Sequence, residues 1–139
     1  MTDEEIKKNV EHPSHYTSSK TGIEVIEITR WLCCDLGNFW KYISRYTLKN
    51  TPKQDILKAI WYINDFKEHP CHPYCCNEMY IDNLLFNMQK IIDAEEIIEI
   101  KNGFTMVKNI ISNIAGKTDE AVNGKKTIED LEKFANTLK

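Results

Sequence analysis

The sequence predicts an all-α protein: a compact helical bundle with an N-terminal extended arm and additional C-terminal helices. Two observations carry this. Between residues 23 and 68, apolar side chains recur at helical spacing in three successive segments joined by brief connections. Farther on, Ile81, Leu84, Leu85, Met88, Ile91 and Ile92 fall at i, i+3, i+4, i+7, i+10 and i+11. That is the stripe of an amphipathic helix, suited to a core or to another subunit.

The totals set bounds on function. A chain of 139 residues is long enough to bury a real core. A net charge of -3 and a pI near 5.8 argue against a general nucleic-acid binder, which carries a broad basic surface. There is no run of some 18 apolar residues, so no membrane span is expected. The start, Met1-Thr2-Asp3-Glu4-Glu5-Ile6, is acidic and lacks an apolar core, so it does not read as a signal peptide and a cytoplasmic location is expected. Five cysteines, with Cys33-Cys34 and Cys75-Cys76 adjacent, read as thiols in a reducing compartment.

Taken in order, residues 1 to 11 are polar and expected to be loosely held. Pro13 biases its predecessor away from helix, so His12-Pro13-Ser14-His15-Tyr16-Thr17 is an extended or turn segment. It sets the imidazole of His15 beside the phenol of Tyr16. His15 has two readings: a structural hydrogen bond tying the arm to the body, or a group that contacts ligand or moves a proton near neutral pH. From Ile23 to Leu36 the pattern is helical, with Val25, Ile28, Trp31, Leu32 and Leu36 on one apolar face. Glu24 projects at the margin of that face, where a carboxylate needs a partner. Lys41 or Arg45 is the expected partner, making Glu24 an orienting residue; a metal ligand is the lesser alternative.

A second helix is expected from Gly37 to Lys49. A break at Asn50-Thr51-Pro52 follows, then a third helix from Lys53 to Glu68 that buries Ile56, Ala59, Ile60 and Ile63. Asp55, Lys58 and Tyr62 share a flank of the third helix. At about 100° per residue, Asn38, Lys41, Arg45 and Lys49 lie within roughly 80° of one another. From Lys41 to Lys58 the cations are Lys41, Arg45, Lys49, Lys53 and Lys58, against Asp55 alone. A local positive stripe on an acidic protein calls for a specific anion, and phosphate is the usual one. The plainer alternative is a solvated helix face. Asn38 and Tyr42 speak against it by adding neutral hydrogen-bonding groups, and Phe39, Trp40 and Ile43 on the other side give the stripe a fixed direction.

The segment His69-Pro70-Cys71-His72-Pro73-Tyr74-Cys75-Cys76 has the sulfur and imidazole density of a zinc site. It lacks a second CxxC-type pair at the usual distance and is stiffened by two prolines. A rigid connector with buried thiols is the preferred reading, and no metal is assigned to Cys71, His72, Cys75 or Cys76. Residues 78 to 101 form the amphipathic helix already named. Asn102-Gly103 either caps it or turns a hairpin, and the cap is preferred because Val107, Ile110, Ile111 and Ile114 resume helical spacing. A polar loop from Gly116 to Lys126 precedes a last helix with Thr127 as its expected N-cap. Ala115-Gly116-Lys117-Thr118 imitates the end of a phosphate-binding P-loop. The glycine required five residues before the Gly-Lys pair is Ile111 here, so that reading is rejected.

Several of these blocks stand in a familiar order. His12-Pro13-Ser14-His15-Tyr16, then Gly22-Ile23-Glu24-Val25-Ile26, then Gly37-Asn38 with Lys41-Tyr42 and Arg45, then Asp55 with Lys58-Ala59 and Tyr62, resemble a small phage-encoded domain family. The family is mostly of unknown function and includes the P-loop-lacking nucleotide kinase of T-odd coliphages. The resemblance covers residues 12 to 69, leaving 70 to 139 as a C-terminal helical extension packed on that domain or used for oligomerisation. It implies phosphoryl transfer to a (deoxy)nucleoside monophosphate by a multimeric protein in the infected host cell, with ATP and Mg as co-substrate and cofactor if the chain is a kinase. The family pattern after the arginine is Arg-Ala-Gly-x-Lys, whereas this chain has Arg45-Tyr46-Thr47-Leu48-Lys49 without the glycine.

Two functions follow. As a nucleotide kinase, the chain would clamp phosphates with Lys41, Arg45 and Lys49, supported by Asn38, Tyr42 and Lys58. His15 or Asp55 would orient the acceptor, while Tyr16 and Tyr62 stack on base or sugar. As a non-catalytic module it would sequester a nucleotide, such as an immune signal of the host, with the same cations and aromatics. Both readings expect a nucleotide ligand and a homo-oligomer. A helical oligomerisation domain without a small ligand is the third and plainest reading.

Overall fold

The computed structural model describes residues 1–12, 20–48, 50–119 and 122–139. Among these residues there are seven helices, and no helix is long and apolar enough to cross a membrane. They are α1 (Asp3–Glu11), α2 (Val25–Thr29), α3 (Cys34–Arg45), α4 (Pro52–Glu68), α5 (Glu78–Ala94), α6 (Ile98–Ile114) and α7 (Gly124–Asn136). The fold is all-α, as the periodicity predicts.

Residues 1 to 11, expected to be loose, begin the chain as a helix. Thr2 accepts from the Glu5 backbone N–H at 3.1 Å and the Thr2 N–H donates to the Glu5 carboxylate at 2.9 Å. This reciprocal box satisfies two of the N-terminal amides that a helix leaves open. No residue of α1 is buried, so its local signals carry it rather than packing.

The single helix expected from Ile23 to Leu36 is broken in two. After α2 the chain extends, and Leu32 forms an isolated antiparallel bridge with Tyr74. The Cys33 N–H donates to Pro73 O at 2.9 Å and the Cys75 N–H to Trp31 O at 2.8 Å. The proline-stiffened connector thus takes the backbone groups that a continuous helix would have used. Ile28, Leu32 and Leu36 are nevertheless all buried, as their spacing requires.

Helix α3 is the centre of the bundle, packing against α2, α4 and α6, while α7 closes over α4 and α6. Its buried Trp40 meets Phe104 of α6 with ring centroids 4.3 Å apart. The apolar core therefore runs through both stretches of the chain, from Ile28 and Phe39 to Leu131 and Ala135. Pro52 stands in the first turn of α4, where its missing N–H costs nothing.

Two expected helix ends lie elsewhere. Asn102-Gly103 caps nothing: it sits inside α6, and the break falls at residues 95–97. A Cβ on Gly103 would stand 3.1 Å from Ile43 Cδ1 and 3.3 Å from Phe39 Cζ. The glycine is there to let α6 approach α3, a tertiary requirement that mimics a cap in sequence. The last helix is capped by Asn123, whose Oδ1 accepts from the Lys126 N–H, and Thr127 lies one turn inside it. Gly116 has φ +72° and ends α6: its N–H reaches Asn113 O and the next N–H, of Lys117, reaches Ser112 O. That is the helix-terminating role of a left-handed glycine, and it accounts for the Gly-Lys pair without a P-loop.

Candidate functional site

The cationic stripe lies where α3 and α4 pack side by side, and it closes around one ring. Lys41 Nζ stands 4.7 Å from the centroid of Tyr42, the Arg45 guanidinium carbon 4.7 Å and Lys58 Nζ 5.4 Å. Helical spacing explains the convergence. Lys41, Tyr42 and Arg45 share one side of α3, and α4 brings Lys58 and Tyr62, four residues apart, against them. Tyr62 stacks on Tyr42 with centroids 5.9 Å apart and planes at 9°. Cations near an aromatic face are attracted to its negative quadrupole, which steadies all three side chains.

Arg45 is held from beneath. Its Nη2 lies 3.4 Å from Asp55 Oδ1, and the two side chains are 11% and 1% exposed. Asp55 thus sits in the interior at the first turn of α4 and faces the guanidinium. Lys41 and Lys58 have no ion-pair partner among the described residues. The site therefore presents two uncompensated ammonium groups beside a braced guanidinium, an arrangement suited to a multivalent oxyanion.

The other expected residues divide. Asn38 lies on the stripe side of α3, but its amide nitrogen donates back to Cys34 O at 2.9 Å and approaches Cys34 Sγ at 3.4 Å, so its N–H groups are turned back on the helix. Glu24 was expected to steady Lys41 or Arg45. Its carboxylate is instead 2.7 Å from His12 Nδ1, joining the end of α1 to the start of α2. A histidine, His12, thus joins these two helices. His15, Tyr16 and Lys49 lie outside the described residues.

The cysteine-rich connector is partly exposed rather than a store of buried thiols: Cys71 and Cys75 face solvent, while Cys33 and Cys76 are half-buried, and all five cysteines are free. Burial, with Cys71 and Asp35 close by, pushes the Cys33 thiol up to about 11. His72 Nδ1 lies 2.7 Å from Tyr74 O, a bond within the connector. No group of three or more histidine, cysteine or acidic side chains among the described residues is placed to hold a metal ion. Close to this connector Asp35, at the start of α3, is pushed up to about 6 by burial and by its hydrogen bond and charge contact with Asp65 of α4, against a lowering by His69.

Two features were not read from the sequence. Trp61 stands 62% exposed beside the tyrosine pair, edge-on to Tyr62 at 5.2 Å. A cavity of about 450 Å³ opens on the opposite side of α3, walled by Trp40, Ile43, Phe104 and Ile97 and rimmed by Ser44 and Glu95. Burial raises the Glu95 carboxyl, and Glu96 adds to the rise while Lys20 opposes it. The cavity does not reach the cation cluster, whose residues are absent from its walls.

Compared with known proteins, residues 10–64 match a family described as a protein of unknown function, DUF3310. That stretch contains α2, α3 and most of α4, and with them Lys41, Tyr42, Arg45, Asp55, Lys58 and Tyr62. No curated protein and no solved structure matches the chain.

Proposed function

We propose that this protein binds a nucleotide, holding its phosphates with Lys41, Lys58 and Arg45. The observation that supports this most is the gathering of Lys41 and Lys58, neither ion-paired among the described residues, around the same tyrosine ring as Arg45. Like charges this close repel one another, and a multivalent anion between them turns the repulsion into binding. The ammoniums act as point charges, while the guanidinium, held by Asp55, offers directed N–H groups.

For the reaction, we propose phosphoryl transfer to a (deoxy)nucleoside monophosphate, with ATP as the donor, ADP as the leaving group and Mg as the ion that neutralises the phosphates. Such transfer depends on positioning and charge neutralisation rather than on covalent chemistry. One observation favours the alternative, a protein that sequesters a nucleotide immune signal without turning it over. The Asp55 carboxylate is 1% exposed and engaged with Arg45, which suits it to positioning the guanidinium rather than accepting a proton from substrate. An origin in a phage, action in the cytoplasm of the infected cell and a homo-oligomeric state belong to the same proposal.

The test is mass spectrometry of small molecules released by heat from protein purified out of its host, together with incubation of the protein with ATP and a panel of deoxynucleoside monophosphates. Formation of diphosphates means a kinase. A stoichiometric nucleotide released intact, with no diphosphate formed, means sequestration. Neither result leaves a helical oligomerisation domain and overturns the proposal. Lys41→Ala and Lys58→Ala are the variants to pair with it, each expected to weaken nucleotide binding several-fold without loss of fold.

A further inference from the structure

Beside the cation cluster the surface carries an aromatic group that the packing does not use. Tyr62 stacks on Tyr42 in a near-parallel pair. The cations Lys41, Arg45 and Lys58 gather over Tyr42. Trp61 meets Tyr62 edge to face, at 85°. Whichever ring presents its edge, Tyr62 covers at most one face of the indole, and Trp61 is 62% exposed. The other two tryptophans differ: Trp40 is fully buried, and Trp31 is half-buried against Tyr80. Lys58 precedes Trp61 by three residues and Tyr62 by four, so its side chain leaves the helix on the same side as theirs and carries its ammonium to within 5.4 Å of the Tyr42 ring centroid.

We infer that Trp61 is the base platform of this site: the planar base of a nucleotide stacks on its indole face while the phosphates lie among Lys41, Arg45 and Lys58. Tyr62, expected from the sequence to stack on the base, serves instead as the spacer between indole and cations. The inference rests on the phosphate-binding proposal and adds the class of group attached to the phosphate. Stacking reads the π-face and not the hydrogen-bonding edge of a base. Purine nucleotides therefore bind more tightly than pyrimidine nucleotides, with little distinction between adenine and guanine.

The experiment compares inorganic tripolyphosphate with ATP by calorimetry on the full chain and follows tryptophan emission. Tripolyphosphate carries the charges without the base. ATP should bind about tenfold more tightly than tripolyphosphate, as one stacked base contributes, and should quench emission where tripolyphosphate does not. Trp61→Ala should abolish both the tenfold advantage and the quench while leaving tripolyphosphate affinity unchanged; Trp61 is exposed, so the variant is expected to fold. Equal affinities for the two ligands in the wild type, or an ATP advantage that survives in Trp61→Ala, would overturn the platform and leave the phosphate site standing. Failure of tripolyphosphate and ATP alike to bind would remove the phosphate site and the platform with it. Dissociation of an oligomer on Trp61→Ala, without any ATP quench in the wild type, would assign the indole to a contact between copies and overturn the inference too.

Discussion

The guanidinium of Arg45 lies 3.4 Å from the carboxylate of Asp55, and both side chains are withdrawn from solvent. One residue faces the cation cluster and the other the core, so the pair connects the site to the fold. Among the described residues the second Asp55 oxygen, Oδ2, is buried without a hydrogen-bond partner, so Arg45 is the group set against this carboxylate.

Breaking this pair is costly, because the Asp55 carboxylate lies in the interior and the Arg45 guanidinium is largely withdrawn from water. Asp55→Ala should cost about 3 kcal/mol of stability, the scale for breaking a buried ion pair. Arg45→Met should cost a similar amount, and the double variant clearly less than the sum, because no lone charge then remains. Urea denaturation of the four proteins measures this directly. Additive losses would mean that the two side chains do not interact energetically. It follows that loss of nucleotide binding in an Arg45 variant has two sources, and that Lys41 and Lys58 are the cleaner probes of the phosphate site.

Gly103 supports a different prediction, about how closely α6 approaches α3. Gly103→Ala gains about 1 kcal/mol of helix propensity. It loses a comparable amount by pressing a methyl group on Ile43 and Phe39, contacts that would stand at 3.1 and 3.3 Å. Its net effect should stay within about 1 kcal/mol, whereas Gly103→Leu should cost more than about 2 kcal/mol. Trimming the neighbour with Ile43→Val should convert Gly103→Ala into a gain relative to Ile43→Val alone. Thermal unfolding of these variants checks the order, and a neutral Gly103→Leu would contradict the close approach.

These cases also show what could be read in the chain beforehand. The helix from Pro52 to Glu68 was legible, except for Pro52 itself, which reads as part of the break, because its signal is local: apolar residues at helical spacing. Lys41, Tyr42, Arg45, Lys58 and Tyr62 were legible for the same reason, since periodicity alone puts each set on one side of its helix. Gly103 was misread because a glycine after an amphipathic stripe looks like a cap, and only the side chains of Ile43 and Phe39 reveal its purpose. The break after α2 was hidden because Ile28, Leu32 and Leu36 keep their spacing across it; the hydrogen bonds that cause it come from residues some 40 positions away. Spacing also held a signal for Trp61 that went unread: at about 100° per residue it lies roughly opposite Ile56, Ala59, Ile60 and Ile63, whereas Trp40 falls on the packed side of its helix.

The last prediction concerns pH and follows from Asp35. Its carboxyl is pushed up to about 6 by burial first, then by its hydrogen bond to Asp65 and the charge of that neighbour. The folded protein therefore keeps a proton that the unfolded chain, with an ordinary aspartate near 3.8, has released. Between about pH 4 and 6 the native state binds more protons than the unfolded state. The contribution to stability consequently falls as pH rises through that window and is fully unfavourable above it. Asp35→Asn removes the effect. The variant should be more stable than the wild type by about 1 kcal/mol at pH 8, a value kept modest because the carboxyl is only half-buried. The advantage should shrink on acidification, be small at pH 4 and vanish below about pH 3, where Asp35 is protonated in both states. Urea denaturation of both proteins at pH 4, 5, 6 and 8 gives the curve. A stability difference independent of pH would mean that the Asp35 carboxyl is not raised on folding, and a difference that grows on acidification would reverse the sign of the shift.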